Sequence, residues 1–175
     1  RYAFKPINAD RGEKEAFGWA DPRRPLEKDL VWEDLLDGPL VFLAVRRDRK
    51  TFSKVLFRAR REELFEQVKR EKGLARLTRQ HRLALEEQLT VEMLKEVTPS
   101  VSFTEIVWDT NTGEVFLGTT SKSMCERIAD LFASTFDLKL SAQFPALLGY
   151  SYMSQQGLEE EYDRATAAAG ESASA

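Results

Sequence analysis

The pattern of apolar and polar positions divides the chain into strand-like and helix-like segments. Leu40 to Arg47 is a continuous apolar run that ends in charge, and its Val and Phe content predicts a buried strand. From about Ser53 to Lys72 the apolar residues recur at helical spacing, and Gly73 is a suitable stop. One apolar stripe of this predicted helix contains Phe57, Leu64 and Val68.

A second helix is predicted from Thr78, a competent N-cap, to about Val97. One of its faces carries apolar residues spaced by four, and Pro99 follows its end. These apolar residues are Leu85, Leu89, Met93 and Val97.

A β-hairpin and a third helix follow. Residues 101–109 and 114–119 are rich in β-formers, and the turn between them ends in Gly113. Ser123 and Glu126 have the spacing of a capping box, which predicts a helix over residues 122–136. The resulting order is β-α-α-β-β-α, which indicates an α+β fold with an antiparallel sheet and helices packed on one side.

The two ends of the chain have a different character. Pro and Gly residues recur through residues 1–39, which we expect to form an irregular segment packed on the core through Phe17-Gly18-Trp19. The main domain is predicted over residues 40–152, where the apolar segment beyond Leu140 adds a strand or a docking arm. Residues 153–175 are expected to be a flexible tail, because the Ala/Ser/Gly run from Ala165 lacks large side chains. Since the chain starts at Arg1 rather than Met, we also expect an N-terminal piece to be missing.

Composition narrows the class of protein. The 175 residues are 42% hydrophobic and 31% charged, as in an ordinary globular domain. The longest apolar run has six residues, far below the ~20 needed to cross a bilayer, so no membrane span is expected. With one cysteine and one histidine, neither a disulfide nor a structural zinc site can form within the chain, which favours a cytoplasmic setting and no cofactor.

Charge is strongly segregated along the chain. Residues 46–82 contain fourteen Lys and Arg against five Asp and Glu, although the whole chain has a net charge of −3. A local excess of one sign favours an anionic polymer as partner, and double-stranded DNA is the leading candidate, with single-stranded DNA as a further one. A solvated helical face is the structural alternative. The predicted DNA-binding residues are Arg46, Arg47, Arg49, Lys50, Lys54, Arg58, Arg60, Arg61, Lys69, Arg70, Lys72, Arg76, Arg79 and Arg82.

Several motifs, taken in order, resemble the recombination-associated RdgC family of bacterial DNA-binding proteins. They are Phe17-Gly18-Trp19 followed by Pro22, the strand that runs into Arg46 and Arg47, and LTRQHRLALEEQL from Leu77 to Leu89. Trp108, Asp109 and Gly113 of the hairpin follow, and then Ser121 and Lys122 with the helix to Phe136. The likeness covers roughly residues 15–140, while the family's first strand and helix and its long second half have no counterpart here.

The resemblance implies a nucleoid-associated homodimer. In that family a ring-like dimer with a basic channel encircles duplex DNA without reading base sequence, and affects recombinase loading. We therefore expect sequence-nonspecific duplex binding with an effect on DNA recombination or replication, and no catalytic residues.

The first alternative is a metal-dependent nuclease. Glu105 and Asp109 lie four residues apart on one predicted strand, and the hairpin would place Glu114 opposite Asp109. Three carboxylates gathered in this way could hold Mg²⁺ for phosphodiester cleavage. The structural interpretation of the same residues is a sheet edge with solvated acids.

A second alternative is a protein-interaction module, suggested by aromatic residues at Trp32, Tyr150 and Tyr152, which core packing explains equally well. His81 stands beside Arg82 early in a helix and is predicted to be a surface residue. Cys125 is predicted to pack as a small hydrophobe. No phosphate-binding glycine loop or other common catalytic motif is present.

Overall fold

A computed structural model describes residues 2–27 and 29–164. The chain forms two compact units, one ending at Leu138 and one beginning at Lys139. Of the flexible tail expected over residues 153–175, residues 165–175 lie outside the described residues, whereas residues 153–155 belong to a helix that ends at Gln155 and residues 159–164 are helical.

A five-stranded antiparallel sheet forms the centre of the first unit. Its central strand β3 pairs with β1 and β2 on one side and with β4 on the other, and β5 continues the sheet beyond β4. The strands are β1 (Glu15–Ala20), β2 (Leu36–Asp37), β3 (Leu40–Arg49), β4 (Ser100–Asp109) and β5 (Val115–Leu117).

Helices α1 (Lys54–Lys72), α2 (Arg79–Glu96) and α3 (Lys122–Phe136) belong to the first unit, and α4 (Pro145–Gln155) belongs to the second. Two short 3₁₀ turns lie at Ala9–Arg11 and Trp32–Leu35. From β3 to α3 the order is β-α-α-β-β-α, which confirms the α+β fold expected from the sequence.

Helix α3 packs on one face of the sheet through an aromatic cluster. Trp108 of β4 meets Phe132 edge-on, with ring centroids 5.2 Å apart, and Trp19 of β1 approaches the same ring at 6.5 Å. The indole N–H of Trp19 also donates to the hydroxyl of Thr135 at 2.8 Å. Phe132 is fully buried, so α3 closes the core over this face.

Helices α1 and α2 form a helical hairpin, which we call the arm (residues 54–96). Thr78 caps α2 because its hydroxyl accepts from the amide of His81, and Gly73 ends α1 in the left-handed conformation with φ of 61°. No side chain of α1 is buried, whereas α2 buries Leu89, Met93 and Leu94 in its C-terminal half. The arm is therefore anchored by the end of α2, and α1 contributes mainly surface.

The N-terminal segment differs from the irregular expectation at residues 15–20. These residues form β1, which pairs with β3 along its whole length, so Phe17-Gly18-Trp19 is a strand of the sheet. Gly18 is needed here, because a Cβ at this position would lie 2.7 Å from the backbone of Phe4. That close approach lets the amide of Phe4 donate to the carbonyl of Trp19 at 2.8 Å.

Helix α3 covers the predicted residues 122–136, but its expected cap is wrong. The capping box at Ser123 and Glu126 is absent, because the N-cap is Ser121, two residues earlier, and Ser123 lies inside the helix. The segment beyond Leu140 contains helix α4 rather than a strand, with Pro145 at the first helical position, where its missing N–H costs nothing.

Candidate nucleic-acid interface

The structure separates the fourteen predicted basic residues into two groups. One group is held by contacts within the chain; it consists of Arg46, Arg47, Lys50, Arg60, Arg61, Lys69 and Arg70. Among the described residues, the other group has no carboxylate within 4.0 Å; it consists of Arg49, Lys54, Arg58, Lys72, Arg76, Arg79 and Arg82. All seven members of the second group are exposed.

Arg46 belongs to the fold rather than to an open surface. Its guanidinium donates two hydrogen bonds to the carboxylate of Asp48, each 2.8 Å long, and lies 4.2 Å from the centre of the Phe4 ring. Asp48 is buried, so this bidentate pair compensates a charge that would otherwise be costly. Arg46 therefore has little freedom to contact a ligand.

Arg47 shares the carboxylate of Glu15 with a residue that sequence patterns did not identify. Arg47 contacts one oxygen of Glu15 at 2.7 Å, and Arg127 of α3 contacts the other at 2.5 Å. Burial alone would raise the pKa of Glu15, but hydrogen bonds from the two guanidinium groups outweigh it and hold that pKa below its ordinary value of 4.5. Arg127 also lies 4.1 Å from the centre of the Phe17 ring, so this cluster ties α3 to the sheet.

Four other members of the first group make contacts to the arm or within it. The ammonium of Lys50 donates to the carbonyl of Leu94 at 2.6 Å, near the C-terminal end of α2, where a cation is favoured. Arg60 pairs with Glu96 at 2.8 Å across the two helices. Lys69 and Arg70 instead contact Glu66 within α1, through its carboxylate and its carbonyl.

A small pocket between α1 and α2 brings together three of the predicted residues. Arg61 from α1 and Arg79 and Arg82 from α2 line a cavity of about 260 Å³, together with Phe65, Leu83 and Glu86. Among the described residues, Arg61 is the one of these three arginines that has an acidic partner: its guanidinium lies 3.4 Å from Glu86. The pocket thus carries three positive side chains against one carboxylate.

The three carboxylates of the nuclease alternative have separate roles. One oxygen of Asp109 accepts from the amides of Asn111 and Thr112, so this residue stabilises the hairpin turn. Glu114 accepts from the hydroxyl of Thr112 at 3.4 Å. As expected, the hairpin places Glu114 opposite Asp109, whose amide donates to the carbonyl of Glu114 at 2.9 Å. Within residues 2–27 and 29–164, however, no group of three His, Cys, Asp or Glu side chains could hold a metal ion, so Glu105, Asp109 and Glu114 do not form the metal site of the nuclease alternative.

The sheet face opposite α3 exposes apolar side chains. Phe103 of β4 is 40% exposed and Phe116 of β5 is 61% exposed, and both lie on the same face because Val107 pairs with Phe116. The alternation of side chains in β4 predicts which residues share this face, but it could not show that Phe103 and Phe116 remain exposed on it. Of the aromatic residues noted from the sequence, Trp32 packs on Phe136, and Tyr150 packs on Tyr162 in the second unit, whereas Tyr152 is largely exposed.

His81 is exposed, as expected from its place beside Arg82. Cys125 is half-buried, and its thiol lies 3.7 Å from the carbonyl of Thr119.

A scan against protein-family models found no match, and a search of curated proteins found none either. Across the described part of the chain, no helix is both long enough and apolar enough to cross a membrane.

Proposed function

We propose that this chain binds duplex DNA through the arm, by contacts to phosphate groups and without reading base sequence. The observation that supports this proposal is the group of seven exposed Lys and Arg side chains with no acidic partner among the described residues. Six of them lie in the arm, five on α1 or α2 and Arg76 between the helices, and the seventh, Arg49, is the last residue of β3. Cations arranged along an exposed helical hairpin can follow a phosphate backbone, whereas paired cations are already neutralised.

The resemblance to the RdgC family extends this proposal to a biological setting. A nonspecific duplex binder of that kind would associate with the nucleoid and affect recombination or replication by occupying DNA. We propose no catalytic role, since the carboxylates that would serve a nuclease are engaged in the hairpin turn or stand apart.

A salt titration tests duplex binding. We expect log K to fall against log salt with a slope of about −4 to −7, as when some five to eight phosphates are neutralised. Duplexes of unrelated sequence should bind with similar affinity, because phosphate contacts carry no base information. A salt-independent affinity, or a strong preference for one sequence, would contradict the proposal. Cleavage of the duplex in the presence of Mg²⁺ would instead favour the nuclease alternative.

We further propose that two copies associate through the apolar sheet face that carries Phe103 and Phe116. Large exposed aromatic side chains on a sheet favour burial against another protein surface. Light scattering should then give twice the 20.0 kDa of one chain. Phe116→Glu should reduce that mass to one chain without unfolding the protein. An unchanged dimer in this variant would rule out this interface. A monomer in the unaltered protein at tens of micromolar would also rule it out.

A further inference from the structure

The pocket between α1 and α2 has the composition of a phosphate site. Its lining residues include three guanidinium groups and one carboxylate, while Phe65 and Leu83 provide apolar walls. Guanidinium groups are suited to phosphate because their planar fork can donate two parallel hydrogen bonds to neighbouring oxygens. The charge surplus inside the pocket therefore favours an oxyanion over a cation or a neutral ligand.

Contacts restrict the position of Arg61, yet part of its guanidinium remains able to donate a hydrogen bond. Its guanidinium lies 5.9 Å from the centre of the Phe65 ring and 3.4 Å from Glu86, which restrict its position from two sides. Its Nε is buried and has no hydrogen-bond partner among the described residues. Its Nη1 makes the contact to Glu86 and the side chain stays 33% exposed, so the rest of the guanidinium can donate to an acceptor that enters the pocket.

The pocket is an open depression of about 260 Å³ between the two helices. One phosphate group can enter it while the attached chain stays in solvent. Arg79 and Arg82 are exposed at the pocket, where they can reach the outer oxygens.

We propose that Arg61, Arg79 and Arg82 form a site for one phosphate group, and that the group comes from the sugar-phosphate backbone of duplex DNA. The second part rests on the proposed function, whereas the first stands on the pocket alone. Glu86 then has a regulatory effect on affinity, because its carboxylate repels the phosphate and competes with it for Arg61.

The pocket is tested with inorganic phosphate, followed through the Nε–H signal of Arg61 by NMR at constant ionic strength. We expect a saturable shift that chloride does not produce. Arg82→Gln should weaken phosphate binding about tenfold or more, as expected when a charge-assisted hydrogen bond is lost. Glu86→Gln should instead tighten binding several-fold, a gain that partial unfolding cannot mimic. Arg23→Gln is the matched control, because it makes the same substitution at an exposed position outside the arm and should leave phosphate binding unchanged.

The source of the phosphate is tested with the same variants and two duplexes, one with and one without 5′-phosphates. If the backbone is the source, both duplexes bind equally, and Glu86→Gln strengthens both while Arg82→Gln weakens both. Binding that requires the 5′-phosphate would overturn the backbone assignment in favour of DNA ends. Absence of a saturable phosphate shift in both the unaltered protein and Glu86→Gln would overturn the pocket, even if the protein still binds duplex DNA. Phosphate binding without any duplex binding would overturn the backbone assignment and the proposed function together.

Discussion

At the scale of single residues, the arginines of this chain divide by the acids around them. Arg46 and Arg47 look alike in the sequence, yet each is paired to a different carboxylate, one two residues away and one on the neighbouring strand. The local pattern could suggest the first pair, since Asp48 lies on the same face of β3. It could not suggest the second pair, because Glu15 lies in a segment whose many Pro and Gly residues predict irregular structure rather than a strand.

Glu15 makes stability depend on pH. Its pKa is lowered in the folded protein, so its contribution is fully present above the ordinary value of 4.5 and is lost as the pH falls through the lower folded value. Glu15→Gln should therefore cost about 1 kcal/mol of unfolding free energy at neutral pH, since the site is partly exposed and screened. In more acidic solution, below that lowered pKa, the difference from the unaltered protein should largely disappear.

Urea unfolding at neutral and acidic pH measures this difference. Glu126→Gln on α3 is the control, because Glu126 is exposed and has no ion pair within 4.0 Å among the described residues. An equal loss for Glu15→Gln at both pH values would show that the cluster of Glu15, Arg47 and Arg127 does not stabilise the fold through its charges.

At the scale of elements, the boundaries of α1, α2 and α3 were predictable but one N-cap was not. Ser53, Gly73 and Thr78 are strong local signals, and α1 and α2 begin and end beside them as expected. Helix α3 covers the predicted residues 122–136, but its N-cap was misread, because Ser123 and Glu126 have the spacing of a capping box while Ser121 is the N-cap. The choice between two serines in one turn depends on where the preceding strand ends, which local sequence does not specify.

The caps can be compared directly by substitution. Thr78→Ala should lower the unfolding free energy by about 1 kcal/mol, because its hydroxyl accepts from the amide of His81. Ser121→Ala and Ser123→Ala should each change it by less than about half of that, since neither hydroxyl accepts from an amide at the start of α3. Chemical denaturation measures all three variants, and a cost at Ser123 as large as that at Thr78 would reinstate the capping box.

At the scale of the whole molecule, only part of the positive charge in residues 46–82 is free of contacts within the chain. The sequence gives fourteen basic residues in residues 46–82, but contacts within the chain engage half of them, and the unpaired remainder lies mainly on the arm. Net charge along a sequence is therefore a poor guide to where a nucleic acid would bind. Arg61, Arg79 and Arg82 are among the fourteen residues predicted from the sequence, but that they line one pocket follows only from the packing of α1 on α2.

The salt dependence of duplex binding in an arm variant tests the central claim most directly. Arg79→Gln combined with Arg82→Gln removes two unpaired cations, and Arg23→Gln combined with Lys122→Gln removes the same charge from exposed positions outside the arm. If the arm carries the phosphate contacts, the slope of log K against log salt becomes less steep by about 2 in the arm variant for every duplex sequence, and stays unchanged in the control. An unchanged slope in the arm variant, or an equal change in both variants, would contradict binding through the arm.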